Sequence, residues 1–180
     1  NSILTREVGG TNEAEKIREI LLYCDLLPTS ELMLVMAARY EHLRKLILPA
    51  LEKNIWVICD RFVDSTASYQ GQYPEIGIDA IYDLHNRFMS LSTTLFEVNH
   101  TSNKAARIMP DVTFFLNIAP EAALPRTVKR GSNNKFEDKE LVFHQKVHRN
   151  FQEIAKRFSD RIIEIDVENL SELDVHNQVV

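Results

Sequence analysis

The acid–arginine pair Asp60-Arg61 is the part of this chain best suited to handling a phosphate group. It directly follows residues 55–59, a continuous apolar run that predicts a parallel strand covered on both faces. A carboxylate at such a strand end can hold Mg²⁺, directly or through water, and a neighbouring guanidinium can bind two phosphate oxygens at once. The alternative is an ordinary ion pair at the end of a strand.

A hydroxyl, a phenol and an amide follow the pair within two helical turns, at Thr66, Tyr69 and Gln70. Spacings of three and four residues place them on one face of a helix. Together these groups can read the polar edge of a nucleobase. A capped surface turn would produce the same residue types, so the pattern alone leaves both interpretations open.

Two further arginines lie on predicted helices. Arg39 comes one turn after Val35 and Met36, where it can donate to a carbonyl that lies over those apolar side chains. The alternative is an arginine whose stem covers apolar surface while its head stays in water. Arg18 lies on the helix predicted after Gly9-Gly10, and its alternative is a solvated side chain.

The segment 126–137 is basic, polar and contains glycine, with cations at Arg126, Arg130 and Lys135. Mobile lids over phosphates have this composition, because cations must close over the ligand and water must be excluded. Basic loops are common, so the composition favours a lid without requiring one.

Strands and helices alternate along the chain, which predicts an α/β fold with a parallel sheet flanked by helices. Ligands in such folds bind beyond the carboxyl ends of the strands. Thr11 and Ser30 are candidate N-caps, and Pro49 is expected to bend or divide its helix. The predicted strands are residues 2–6, 55–59, 112–118 and 162–166, and the predicted helices are residues 11–24, 30–54, 79–90, 121–130, 138–158 and 171–180.

Length and composition indicate one globular domain of 180 residues, with 44% apolar and 26% charged residues. The net charge of −5 argues against general nucleic-acid binding, which needs a basic surface. There is no apolar run long enough to cross a membrane and no signal-peptide pattern at Asn1, so we expect a cytoplasmic protein. Cys24 and Cys59 match no metal or redox spacing, and we expect reduced, mostly buried thiols.

Taken together, several segments resemble the bacterial thymidylate kinases. The match from Asp60 to Gly71 is the most specific, and the segments occur in the family's order over most of the chain. They are residues 5–11 (TREVGGT), 37–39 (AAR), 57–66 (VICDRFVDST) continuing to 69–71 (YQG), 109–114 (MPDVTF) and the basic segment 126–137.

The resemblance implies a P-loop nucleoside-monophosphate kinase fold, transfer of the γ-phosphoryl group of ATP to dTMP with Mg²⁺, and a homodimer. It implies roles for particular residues. Asp60 would lie near the metal, Arg61 at the dTMP phosphate and Arg39 at the thymine carbonyl. Glu7 and Arg18 would lie on the dTMP side, Val35 and Met36 near the thymine methyl, and Thr66, Tyr69 and Gln70 around thymine and sugar, with Arg126, Arg130 and Lys135 in a lid over ATP.

The sequence also departs from the family. The motif G-x-x-x-x-G-K-[ST], which holds ATP phosphates, occurs nowhere in the 180 residues. We therefore expect that the family's first strand, loop and helix either precede Asn1 or are lacking. Val35 stands where an aromatic residue is frequent, residues 91–108 are longer than the usual connection, and Pro125 lies inside a predicted helix. A truncated, inactive remnant, a nucleotide-binding module and a kinase for another acceptor remain alternatives.

Overall fold

The computed structural model describes residues 1–89, 108–130, 135–136 and 139–180, without the side chains of residues 127–130. The chain divides into two compact units, Asn1–Met109 and Pro110–Val180. The long connection predicted at residues 91–108 lies outside the described residues except for Ile108. The strands in the described residues are parallel and flanked by helices, so the predicted fold class is confirmed. The prediction of one domain stays a prediction.

The first unit is built around one parallel strand pair. Strand β1 (Ser2–Arg6) pairs with β2 (Trp56–Asp60), in a register that runs from Ser2 opposite Trp56 to Arg6 opposite Asp60. Because the strands are parallel and in this register, their carboxyl ends meet at the same edge. The helices of this unit are α1 (Asn12–Tyr23), α2 (Pro28–His42), α3 (Leu48–Leu51), α4 (Val63–Tyr69) and α5 (Ile78–Phe88).

Of the two N-caps predicted in this unit, one is correct and one is wrong. Thr11 caps α1, and its hydroxyl accepts a hydrogen bond from the Ala14 amide at 3.2 Å. Ser30, by contrast, lies inside α2, which begins at Pro28 after Leu27 and has no side-chain cap. Proline at the first helical position has no N–H to satisfy and its backbone is already set for the helix, which explains the earlier start.

Pro49 divides the helix predicted over residues 30–54, as expected. Between α2 and α3 the chain makes a π-helical turn, Leu43–Ile47. Pro49 has no backbone N–H and cannot donate to the preceding turn, so the regular hydrogen-bond ladder changes just before it. The three segments run directly on from one another, and Leu43 and Ile47 remain buried in the core of this unit.

The prediction that strand 55–59 is covered on both faces is wrong. Trp56 and Ile58 are 76% and 58% exposed, and Leu4 on β1 is 80% exposed, whereas their neighbours Val57 and Cys59 are partly buried. Within the described residues, α3 packs on this strand pair. A continuous apolar run shows that both faces can be buried; it does not determine whether both are covered.

The second unit repeats the parallel pairing. Strand β3 (Thr113–Asn117) pairs with β4 (Ile162–Asp166), with Thr113 opposite Ile162. The rings of Phe115 and Phe151 stack at 5.3 Å, which joins β3 to the helix beside it. Ser171 caps the last helix with a reciprocal capping box, in which the Asp174 side chain takes part. The helices of this unit are α6 (Pro120–Arg130), which contains Pro125, α7 (Leu141–Arg157) and α8 (Glu172–Val179).

None of the helices in the described part of the chain is both long enough and apolar enough to cross a membrane.

Candidate functional site

The carboxyl ends of β1 and β2 hold the first part of the candidate site. The amide of Glu7 donates to the carbonyl of Asp60 at 2.9 Å, so the strand pairing continues one residue past the end of β1. This bond places Glu7 beside Asp60-Arg61, at the edge where ligands bind in parallel α/β sheets. The Glu7 side chain is buried, whereas Asp60 and Arg61 are exposed.

Arg39 lies at the centre of a buried polar network. Its side chain projects from α2 and is only 2% exposed, so the alternative of a water-facing arginine is wrong. The Arg39 Nε–H donates to Glu7 Oε2 at 2.7 Å, and Nη2 donates to the hydroxyl oxygen of Thr66 at 2.6 Å. Three residues that the sequence predicted separately, on three different elements, therefore meet in one network.

Three of the N–H donors of Arg39 have partners among the described residues. Guanidinium carries five N–H donors. Within the described residues, Glu7 takes one and Thr66 takes a second, and a third points to the sulfur of Met36 at 3.8 Å. The other two donors make no hydrogen bond with the described residues. Val35 and Met36 are buried on the same helix, one turn before Arg39, so apolar surface lies next to those donors.

Sequence reasoning missed His42, which completes this network. Its Nδ1 lies 3.3 Å from Glu7 Oε1, and its Nε2 lies 2.7 Å from the Thr5 hydroxyl. The ring is fully buried. The available signal was spacing: His42 follows Arg39 by three residues on a helix, so both side chains reach the same region.

Helix α4 positions Thr66, and Asp64 anchors that helix. The Tyr82 hydroxyl of α5 donates to Asp64 Oδ1 at 2.6 Å. Gln70, one turn after Thr66, is also buried and its amide donates to Glu31 Oε2 at 3.4 Å. Thr66 and Gln70 therefore face the interior of the first unit, and the alternative of a solvated surface turn is wrong for them.

Arg61 has an unusual backbone conformation at the end of β2. Its φ of 68° lies in the left-handed region, which disfavours a side chain other than glycine. Such strained residues cluster at functional sites. The Arg61 guanidinium lies over the half-buried Tyr69 ring, 5.3 Å from its centroid. Asp60 forms no ion pair with the described residues.

Cys59 separates the exposed strand end from the buried network. Its thiol lies 3.1 Å from the Arg61 carbonyl oxygen, to which it donates. Burial raises the pKa of Cys59 to about 12, and the charges of Glu7 and Asp60 act in the same direction. The thiol is therefore a poor nucleophile at neutral pH. Cys24 is exposed, so the expectation of mostly buried thiols is wrong for that residue.

Phe62 and His85 pack in sequence against the Arg39 side of the network. The Arg39 guanidinium lies 5.1 Å from the Phe62 ring centroid, and Phe62 meets His85 edge to face at 5.4 Å. His85 Nε2 lies 2.8 Å from the Ile108 carbonyl oxygen, to which it donates. Burial lowers the pKa of His85 to about 4, with the positive charge of Arg39 as the second cause. The ring is therefore neutral at physiological pH.

Arg18 supports the loop after β1. Its guanidinium donates to the Val8 carbonyl oxygen at 2.9 Å, so it is bonded to the backbone next to Glu7. The amide of Gly10 in the same loop donates to Glu15 Oε1 at 3.0 Å. Gly10 has a φ of +85°, and a Cβ there would lie 2.4 Å from His42 Nε2. Only glycine lets this loop pack against the network.

The predicted lid cations belong to the second unit. Arg126 donates to the Glu168 carbonyl oxygen at 2.7 Å, and the Lys135 ammonium lies 5.2 Å from the Phe136 ring centroid. Arg130 is the last residue of α6, and its side chain lies outside the described part. Residues 131–134 and 137 of the predicted lid also lie outside it, so the lid stays a prediction.

The arrangement in the first unit suits recognition of a small polar ligand. No group of three or more histidine, cysteine or acidic residues that could hold a metal occurs in the described part of the chain. The exposed Asp60 carboxylate is nevertheless suited to Mg²⁺, which usually takes one or two carboxylates and completes its shell with water and phosphate oxygens. A buried arginine with two remaining donors beside apolar side chains can bind a carbonyl oxygen, and Arg61 can bind an anion.

Comparison with known proteins identifies the family of this chain. The family model described as thymidylate kinase matches residues 1–179. Thymidylate kinase from Rickettsia africae is 46% identical over 177 residues, which cover 98% of this chain and 79% of that protein, and the protein of that name from Rickettsia typhi is 45% identical over the same shares. The crystal structure of thymidylate kinase from Ehrlichia chaffeensis superposes with a TM-score of 0.70 at 29% identity, covering 100% of this chain and 81% of that one. The chain therefore belongs to the thymidylate kinase family.

Proposed function

We propose that this protein transfers the γ-phosphoryl group of ATP to dTMP and releases dTDP and ADP, with Mg²⁺ as the cofactor. The observation that carries the proposal is the buried Arg39 with two remaining donors, held by Glu7 and Thr66 beside a strand end that bears Asp60 and Arg61. Family membership gives the reaction class, and this network gives each residue a physical task.

Reading of the base is assigned to the buried half of the site. Thymine presents carbonyl oxygens and one methyl group. A carbonyl oxygen can accept from the two remaining N–H groups of Arg39, and Val35 and Met36 supply apolar surface for the methyl. A methyl group in an apolar pocket contributes about 1–3 kcal/mol, so discrimination against uracil should be modest. Discrimination against an amino group facing Arg39 should be stronger, because two donors would then face each other.

Handling of the phosphates is assigned to the exposed half. Phosphoryl transfer requires alignment and positive charge around oxygens that spread negative charge in the transition state. Arg61 would bind the dTMP phosphate. Asp60 would hold Mg²⁺, and the metal supplies charge neutralisation and alignment when it is bound. Arg126, Arg130 and Lys135 are proposed to serve the ATP side, and homodimer formation in the cytoplasm completes the proposal.

Turnover by the purified full-length protein tests this function. We expect ADP production that depends on dTMP and is abolished by EDTA, in a coupled assay that compares dTMP, dUMP, dCMP and dGMP as acceptors. The variant Asp60→Asn should lower kcat with little change in the affinity for dTMP. A full-length protein that binds dTMP without turnover would indicate a binding module instead. A preference for another acceptor would change the proposed substrate.

A further inference from the structure

His42 lies behind the site, and both of its ring nitrogens have a partner. Nδ1 lies 3.3 Å from Glu7 Oε1, and Nε2 lies 2.7 Å from the Thr5 hydroxyl. The other carboxylate oxygen of Glu7 accepts from Arg39 at 2.7 Å. Each oxygen of the carboxylate therefore has its own partner, one from His42 and one from Arg39, and all three side chains are buried.

The partners determine where the protons are. A carboxylate only accepts, so the nitrogen that faces Glu7 must be protonated, and Nδ1–H donates. In a neutral imidazole Nε2 is then an acceptor, and the Thr5 hydroxyl donates to it. With a neutral His42, Thr5 donates to His42 and His42 donates to Glu7, while Arg39 donates to the other oxygen of the same carboxylate.

This series holds the carboxylate at both oxygens. A carboxylate held at one oxygen can rotate about its last side-chain torsion, which is broad and roughly two-fold. A donor at the second oxygen restricts that rotation. It therefore also restricts the orientation of the Arg39 guanidinium, which is bonded to the first oxygen. The backbone of Gly10 lies against the His42 ring, where a Cβ would come within 2.4 Å of Nε2, so the ring cannot move toward the loop after β1.

We propose that His42 is a positioning residue for recognition of the acceptor base, acting through Glu7 on Arg39. It makes no contact with the nucleotide. It keeps the Glu7 carboxylate in the orientation that directs the two remaining N–H donors of Arg39 toward a base carbonyl. This inference rests on the proposed function, because it assigns the specificity of the same site.

A matched pair of substitutions separates positioning from a purely structural role. His42→Asn places an amide N–H near the position of Nδ1 and keeps the donor to Glu7. His42→Gln reaches further, to the position of Nε2, and loses that donor. Both are neutral amides that remove the imidazole, so their difference reports the hydrogen bond to Glu7. Thr5→Val, which removes only the partner of Nε2, is the third variant.

The experiment measures kcat, the KM for dTMP, the KM for ATP and the ratio of kcat/KM for dTMP to that for dCMP in the full-length protein. Relative to His42→Asn, we expect His42→Gln to raise the KM for dTMP about tenfold, which corresponds to the loss of one hydrogen bond to a charged group, and to lower the dTMP to dCMP ratio by a similar factor. The KM for ATP should change less than about twofold in both variants, because the proposal assigns the network around Arg39 to dTMP and not to ATP. For Thr5→Val, the KM for dTMP and the dTMP to dCMP ratio should lie between those of wild type and those of His42→Gln.

Equal KM values for dTMP and equal ratios in His42→Asn and His42→Gln, with both proteins folded by circular dichroism, would overturn the inference. So would a rise in the KM for ATP as large as that for dTMP. A loss of thermal stability alone, without a change in the KM or the ratio, would also overturn it and leave His42 a structural residue. Failure of the wild-type protein to bind or phosphorylate dTMP would contradict the proposed function instead, so the two failures are distinguishable.

Discussion

The two halves of the candidate site in the first unit differ in how many of their polar groups are hydrogen-bonded to one another. In the buried half, Glu7, Arg39, His42 and Thr66 hold one another, and Arg39 is 2% exposed. In the exposed half, Asp60 and Arg61 lie at the end of β2, and Arg61 has the backbone strain. The buried half is preorganised by its own hydrogen bonds. The exposed half keeps its charges accessible to solvent, so the proposed function assigns base recognition and phosphate handling to different halves of the site.

Removal of Arg39 should have the largest effect. The variant Arg39→Met leaves the Glu7 carboxylate buried without its cation, and breaking such a pair destabilises a protein by about 3–5 kcal/mol. Urea unfolding at pH 7 measures the free energy of unfolding. The matched control Arg61→Met in the exposed half should change it by less than about 1 kcal/mol. Similar losses in the two variants would show that burial does not distinguish the halves.

Acid should have the next largest effect on stability, through His85, whose ring contacts the Phe62 ring beside Arg39. In the unfolded chain His85 titrates near its ordinary pKa of 6.5, and in the folded protein burial lowers that pKa to about 4. Between these values the unfolded state binds more protons, so the free energy of unfolding falls as pH drops from 6.5 to 4 and levels off below. This histidine should contribute a loss of about 3 kcal/mol.

The variant His85→Gln tests this prediction, because it removes the titration and keeps an N–H for the Ile108 carbonyl. The difference in free energy of unfolding between pH 7 and pH 4.5 should be smaller in this variant than in wild type. An unchanged difference would contradict burial of a neutral His85.

Relief of the strain at Arg61 should separate stability from activity in the exposed half. Both Arg61→Gly and Arg61→Ala should lower kcat/KM for dTMP about 100-fold, because the phosphate loses its guanidinium. Arg61→Gly should be more stable than Arg61→Ala by about 1 kcal/mol, because glycine accepts a φ of 68° without the cost to a Cβ.

Asn54 provides a matched control for this strain, since its φ is 54° and it was not assigned to the site. Asn54→Gly should exceed Asn54→Ala in stability by a similar margin, and both should keep the activity of wild type. Loss of activity at Asn54, or equal stability of the two Arg61 variants, would contradict the assignment of the strain to the site.

The effect expected at Cys59, between the two halves, concerns reactivity and leaves stability and turnover unchanged. In a Cys24→Ser background at pH 8, iodoacetamide should modify Cys59 at least about 100-fold more slowly than a free cysteine, because a pKa of about 12 leaves almost no thiolate. Mass spectrometry follows the reaction, and Cys24 in a Cys59→Ser background serves as the exposed reference. Similar rates at the two cysteines would show that the strand end is more open than the structure indicates.

The agreement between sequence and structure depends on whether a signal is local. Thr11 was predicted as a cap and is one, because a cap is decided within four residues. Ser30 was predicted as a cap and is not, because Pro28 begins the helix two residues earlier. His42 was missed altogether, because its partners Thr5 and Glu7 lie more than 30 residues away.

The order of elements, the strand end at Asp60-Arg61 and the resemblance that gave the family were all readable from the residues, because apolar periodicity, capping and motif spacing are local properties of the chain. Only the tertiary structure decided that Arg39 is buried and held by Glu7 and Thr66, that His42 stands behind it, and that Trp56 and Ile58 are exposed. Burial and long-range hydrogen bonds depend on which elements pack together, and a linear pattern does not specify that packing.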